Sequence, residues 1–423
     1  MKDKGLIKHY VFITILMLAL FLNFTMSNDY ISLLVTVISA GYVMIIRKKY
    51  VVPAMVFFSF FAYLFVYNQF SLYIFICLAF VLRMAVSNTK SAKYVLALFM
   101  VYVAFHLASL NISGVSIGTL IPFFALLCLP LASTLAGYFD KDVVYSHYLL
   151  GFFQSSILAF FRGGTRLSEV LASDFLSVHD WMDTYRFSGL SYDANFYTML
   201  SFFALAILLF GLRNTSKRYV TIVSIIATIA LGALTYSKSG IIAYVLLLSI
   251  AAFCGEKSTR KKVLQLLSLA AIVMVMFSNQ FDSIIGNILS RFTGITNINQ
   301  FSSGRFDLWT NYLEKITDGP FELLVGHGMG SVEGMKAAHN TFIEITYKFG
   351  LLGFFTDIVA LRFSFKLLCR SIGDRRSTPW PVKGVFIVFV GLIFNLSAYT
   401  FYSLWVCLLI YFLLSRRNDM RAV

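Results

Sequence analysis

Charged side chains make up only 13% of this 423-residue chain, against roughly a quarter in soluble domains. That scarcity excludes a soluble enzyme with one anchor and a disordered scaffold. There are five cysteines (Cys77, Cys128, Cys254, Cys369 and Cys407), all in apolar segments or at their ends and none with a CxxC partner. A disulfide framework and a cysteine metal site are therefore excluded. No Walker A and no GxGxxG occurs, and no A-x-A cleavage site follows the first apolar run. Met1 to about Asn28 is accordingly expected to be a retained first span rather than a signal peptide.

What is present is apolar. Hydrophobic residues make up 59%, with 44 Phe and 23 Tyr, and mean hydropathy is +0.78. A spanning helix needs about 20 apolar residues. Fourteen candidates occur: 7–25, 30–46, 51–67, 70–87, 94–110, 115–138, 145–161, 191–212, 219–236, 239–254, 263–280, 341–361, 383–399 and 401–415. The tight turns around Asn68–Gln69 and Thr400 leave re-entrant or fused pairs open. The expected fold is an all-α polytopic membrane bundle of about 12–14 transmembrane helices. It divides into N-terminal spans (1–161), a first outer loop (162–190), central spans (191–280), a large helical outer loop (281–340) and C-terminal spans (341–423).

Net charge is +15. With the N-terminus inside, 25 of the 35 Lys and Arg fall on inner connectors and adjoining helix ends, nine fall outside, and Arg362 sits at an inner helix end. This is the positive-inside bias, so the surplus signals orientation and not nucleic acid. A multi-pass protein of the plasma (inner) membrane with both termini cytoplasmic is expected. Every inner connector is short, leaving no room for a nucleotide-binding domain. Asp140-Lys141-Asp142 has the DxD spelling of a metal–nucleotide-sugar site, but on an inner turn it reads as a polar connector. Chemistry is expected outside, where 303–318 (Phe306, Trp309, Leu313, Ile316) and 167–182 carry apolar residues at helical spacing. Such helices either lie in the interface or cover an outward cavity.

Four constellations face that side. Arg186 precedes Asp193 and Asn195 at a helix entrance. Asp193 either caps that helix, paired with Arg186, or all three belong to an anion site, since guanidinium binds phosphate bidentately and a helix N-terminus adds N–H donors. Lys238 sits in Thr235-Tyr236-Ser237-Lys238-Ser239-Gly240, a hydroxyl-rich turn between two apolar helices. Arg305 follows Ser302-Ser303-Gly304, with Ser302 or Ser303 as the cap. Gly326-His327-Gly328 permits close backbone approach, and His339-Asn340 stands where the loop re-enters the membrane. There an imidazole is placed to exchange a proton near neutral pH. Gathered together, Arg186, Lys238, Arg305 and His339 would repel by about 1–4 kcal/mol per close pair, a penalty that an anionic ligand removes.

The loop pattern S-G-R…W…G-x-G…H-N-x-F, preceded by R-x-x-G-x-x-x-D-x-N and S-K-S-G, resembles the O-antigen polymerase/ligase superfamily of Wzy- and WaaL-like proteins. The resemblance covers about 185–355. It implies a GT-C-type, inverting glycosyltransferase that needs no metal and no cofactor. Its donor would be an undecaprenyl-diphosphate-linked oligosaccharide at the outer membrane face. Carried over, His339, Arg305 and Arg186 are the catalytic candidates. Arg186 and Arg305 would bind diphosphate, and His339 would be the base or position the acceptor. Substrate-binding candidates are Lys238, Asp193, Asn195, Ser239, Gly326, His327, Gly328 and Asn340. Lys238 stands where relatives often carry Arg, a departure that weakens a bidentate role there. Implied partners are the lipid-linked glycan, membrane lipids and, as an open question, a chain-length regulator. Polymerase is the leading reading, with ligase, a flippase for the same glycans and an inactive assembly partner as alternatives.

Overall fold

The computed structural model describes residues 4–26, 29–68, 70–86, 121–161, 177–178, 185–191, 193–212, 218–276, 295–328, 337–372, 379–396 and 402–415, with isolated positions at 93, 97, 100, 286, 289 and 292–293. The expected span 94–110, the stripe at 167–182 and the early part of the second outer loop lie largely outside the described residues.

The chain is an all-α bundle of membrane type. Its helices are α1 (Lys4–Met26), α2 (Asp29–Ile45), α3 (Lys48–Ser59), α4 (Tyr73–Val86), α5 (Ile121–Thr134), α6 (Lys141–Phe161), α7 (Ala194–Ala206), α8 (Arg218–Ala233), α9 (Lys238–Cys254), α10 (Lys257–Met276), α11 (Ile298–Phe301), α12 (Arg305–Ile316), α13 (Pro320–Val325), α14 (Thr341–Ile372), α15 (Trp380–Phe394) and α16 (Leu404–Leu414). Within this set, Gly5–Leu22, Lys141–Phe160 and Ala194–Gly211 are long and apolar enough to cross a membrane, and several shorter apolar helices accompany them.

Helix α1 shows why lipid, not water, surrounds this bundle. Ile13, Met17 and Leu20 are fully buried, while Ile7, Val11, Ile15 and Leu22 on the other face are half exposed. A helix apolar on every side needs hydrocarbon or protein around it. α2 packs on α4, α3 on α6, α5 on α14 and α16, and α9 on α15. Asp140 accepts from the Asp142 N–H at 2.9 Å, so the DxD spelling opens α6 as a helix cap.

Two spans differ from expectation. α3 stops at Ser59, and the chain continues through a short turn into the hairpin β1 (Val66–Tyr67) and β2 (Phe70–Ser71). Asn68 takes a left-handed backbone there. Twelve residues reach only about 18 Å, too short to cross. Phe57, Phe58, Phe61 and Phe65 are fully buried, so this segment fills the bundle instead of facing lipid. The second departure is α14, which is longer than the expected 341–361 and is broken at Gly350 (φ 62°, ψ −171°).

Candidate functional site

The site is built from the N-terminal ends of α7, α9, α12 and α14 and the C-terminal end of α15. Asp193 caps α7, its Oδ1 accepting from the N–H groups of Asn195 (2.6 Å) and Phe196 (3.4 Å). Asn195, buried, accepts from the Ser237 hydroxyl at 2.9 Å. Ser237 in turn caps α9, accepting from the Gly240 N–H, and stands 3.1 Å from the Ser239 hydroxyl. Gly240 allows α9 to approach α7, because a Cβ there would lie 2.5 Å from Thr198. The partly buried network Asn195–Ser237–Ser239 therefore fixes the turn from which Lys238 projects. Lys238 Nζ donates to the Gln300 carbonyl of α11 at 3.3 Å.

Arg186 lies on the short strand β4 (Tyr185–Arg186), paired antiparallel to β3 (Ser177–Val178). Its side chain lies outside the described residues. Its neighbour Phe187 donates its N–H to the Leu234 carbonyl at 2.9 Å, which ties the Arg186 segment to the Lys238 turn.

Gly304 opens α12 with a left-handed φ of 80°, and the Ser302 hydroxyl accepts from the Arg305 N–H at 3.2 Å. Of the two expected caps, Ser302 supplies this bond. The Arg305 guanidinium donates to Asn395 Oδ1, just beyond α15, at 3.2 Å. Next to Asn395, the Leu396 carbonyl accepts from Thr341 at 2.6 Å. Thr341 opens α14 directly after His339-Asn340. His339 is half-buried with φ 48°. Asn340 is fully buried, and its Oδ1 caps α14 through the Phe342 and Ile343 N–H groups. Hydrogen bonds thus join the segments bearing Lys238, Arg305 and His339 around one rim.

Gly326-His327-Gly328 lies along α14. The N–H groups of His327 and Gly328 donate to the carbonyls of Tyr347 (2.8 Å) and Lys348 (2.9 Å). These two carbonyls lose their helical partners at the Gly350 break. The His327 ring stacks on Tyr347 with centroids 4.6 Å apart, and its Nε2 lies 2.9 Å from the Lys315 carbonyl. This strap clamps the first arm of α14 to α12 and α13. In the same layer Glu344 pairs with Lys348 at 2.5 Å, both largely buried. Burial, with the Glu344 charge second, pushes the Tyr312 phenol up to about 12, so it stays a neutral donor at physiological pH.

Lys348→Ala would leave the Glu344 carboxylate buried without its cation, a change that costs about 3–5 kcal/mol. Thermal unfolding should show that loss, and Lys348→Leu with Glu344→Leu should recover most of it.

Beneath Thr341 an open-sided cavity of about 130 Å³ runs between α5, α14, α15 and α16. Its wall is mainly apolar, with Leu129, Phe342, Phe354, Leu361, Ile393 and Leu408 prominent, and Thr341, Asp357 and Ser364 also line it. The sequence reading allowed for a cavity under the loop without placing its walls, and it missed Gln300 and Asn395. Asn395 left a trace: it is a lone amide in the apolar run 383–399.

Residues 222–356 match the family model Wzy_C, O-antigen ligase. The match agrees with the resemblance drawn from the motifs, and it contains Lys238, Ser239, Arg305, Gly326–Gly328, His339 and Asn340. Arg186, Asp193 and Asn195 precede it. No curated protein matches the chain. The match supports a membrane glycosyltransferase-like enzyme of the O-antigen ligase and polymerase kind.

Proposed function

We propose that this membrane protein is a polysaccharide polymerase. It would transfer an undecaprenyl-diphosphate-linked glycan to the sugar of another lipid-linked repeat unit at the outer face of the plasma membrane. One observation carries the reading: a rim joining the Lys238, Arg305 and His339 segments stands directly over an apolar, open-sided cavity. A lipid diphosphate is an anionic headgroup on a hydrocarbon chain, and this arrangement offers a place for each part.

In the proposed reaction an acceptor hydroxyl attacks the anomeric carbon with inversion. The bond from that carbon to the diphosphate oxygen breaks, and the hydroxyl proton passes to His339. Charge growing on the leaving diphosphate is met by Arg305, Lys238 and Arg186, fixed before the reaction begins. No metal is needed where fixed cations do this work. Asp193, Asn195, Ser239 and Asn340 hold the helix ends that aim these groups, and Gly326-His327-Gly328 braces the His339 arm.

A flippase would be expected to show broken, charged helices near the midplane, and α14 is both broken and charged. Its second arm, Leu351–Ile372, is nevertheless about 33 Å long at 1.5 Å per residue, enough to cross a core of about 30 Å. The break and the Glu344–Lys348 pair then lie at the outer surface, where a transferase site belongs.

The deciding assay uses the purified full chain, a synthetic undecaprenyl-diphosphate repeat unit and EDTA. Products longer than one unit are expected. Activity only with a lipid A core acceptor would make the protein a ligase. Activity lost to EDTA and restored by a divalent cation would overturn the metal-independent mechanism.

A further inference from the structure

We infer that Trp309 is a positioning residue for His339, and that one face of α12 sets that imidazole against the Arg305 guanidinium. The inference rests on the transferase reading above.

Three consecutive residues at the outer end of α15 receive three different elements of the site. Phe394 meets the Trp309 ring edge-on, with centroids 5.4 Å apart and planes at 87°. Asn395 accepts from Arg305. The Leu396 carbonyl accepts from Thr341, two residues beyond His339. Arg305 and Trp309 are four apart on α12 and so share a face. One rigid helix face therefore holds the guanidinium and the indole together against the same short segment.

The indole does more than pack. Its Nε1–H donates to the Ala338 carbonyl at 2.9 Å. Ala338 is fully buried, so this carbonyl would otherwise lose its solvation without compensation. The following residue is His339, whose φ of 48° lies in a region that non-glycine residues hold only when their surroundings impose it. On the other side the backbone is held by the Asn340 cap. His339 thus stands on a strained turn pinned at both flanks, by Trp309 before it and Asn340 after it. Ring packing against Phe394 would be satisfied by any large aromatic. The N–H aimed at the peptide preceding the left-handed residue is a separable feature, and it acts on His339.

The test removes only that N–H. Trp309→Phe keeps a ring beside Phe394, and benzothienylalanine in place of Trp309 keeps the whole indole outline. The full chain in nanodiscs is assayed with the synthetic undecaprenyl-diphosphate repeat unit. Both variants are expected to lose about tenfold or more in kcat, with KM for the donor within about twofold. Both should also change the rate at which diethyl pyrocarbonate modifies His339, followed by mass spectrometry. Should Trp309→Phe fail to fold, the benzothienyl variant decides. Unchanged kcat overturns the inference, and so does a fall in kcat with an unchanged His339 modification rate. If the unaltered chain transfers no glycan, the transferase reading fails, and an unchanged modification rate would then overturn the Trp309 link by itself.

Discussion

His339→Ala is expected to cut glycan transfer by about 10²–10⁴-fold, the range removed with a general base, while the protein accumulates and unfolds as the parent does. His339 is half-buried and not part of the core, so truncating it opens no enclosed core cavity. Arg305→Ala should lose about 10²–10³-fold by removing one fixed donor to the leaving diphosphate. It also frees Asn395, which lies at a helix end and can turn to water. The paired readout is glycan chain length on gels and protein level by immunoblot. Normal ladders in either variant would remove that residue from the reaction. Arg305→Lys separates the two jobs of the side chain. It retains the charge but not the planar fork, so it should remain strongly defective if bidentate geometry matters.

The rules that made parts of this protein legible are local. Asp193 as a cap and the polar reading of Asp140-Lys141-Asp142 each depend on a few neighbouring residues. α1, α6 and α7 could be placed because a long apolar run has few other uses. α3 could not, because hydropathy gives a buried half-length helix and a lipid-facing span the same reading. It ends at Ser59 in a run with no glycine or proline before Phe70 to mark the stop. The site divides in the same way. Its basic residues stand out against 59% apolar sequence. Their partners do not: the Gln300 carbonyl that meets Lys238 and the Asn395 amide that meets Arg305 come from other segments, and only the fold brings them near. The break in α14 is the clearest case. Gly350 and Gly353 sit in one apolar run and look alike, and the residues that decide between them are some 25 positions away, in the strap at Leu324–Gly328.

Gly350→Ala should accordingly be among the most damaging single substitutions in the chain. At φ 62° an L-residue is strained, by about 1–3 kcal/mol. Space makes it worse: a Cβ at Gly350 would lie 2.2 Å from the Leu324 carbonyl oxygen and 2.5 Å from the Val325 nitrogen. Both are backbone atoms that cannot rotate aside. From the other side, a Cβ at Gly326 would lie 2.5 Å from the Lys348 carbonyl and the Gly350 nitrogen, so the two glycines let two backbones cross in contact. Forcing them apart breaks the His327 and Gly328 bonds to Tyr347 and Lys348. The carbonyls exposed by the helix break then lose their partners, and the arm carrying His339 comes off α12 and α13. Strain, clash and lost hydrogen bonds together put the cost at about 4 kcal/mol or more. Gly391→Ala is the control, since that glycine lies within α15 with nothing inside 4 Å of its added Cβ. There a methyl group should be neutral or stabilise by up to about 1 kcal/mol. Equal unfolding temperatures for the two variants would mean that the crossing at Gly350 does not hold α12 and α13 to α14.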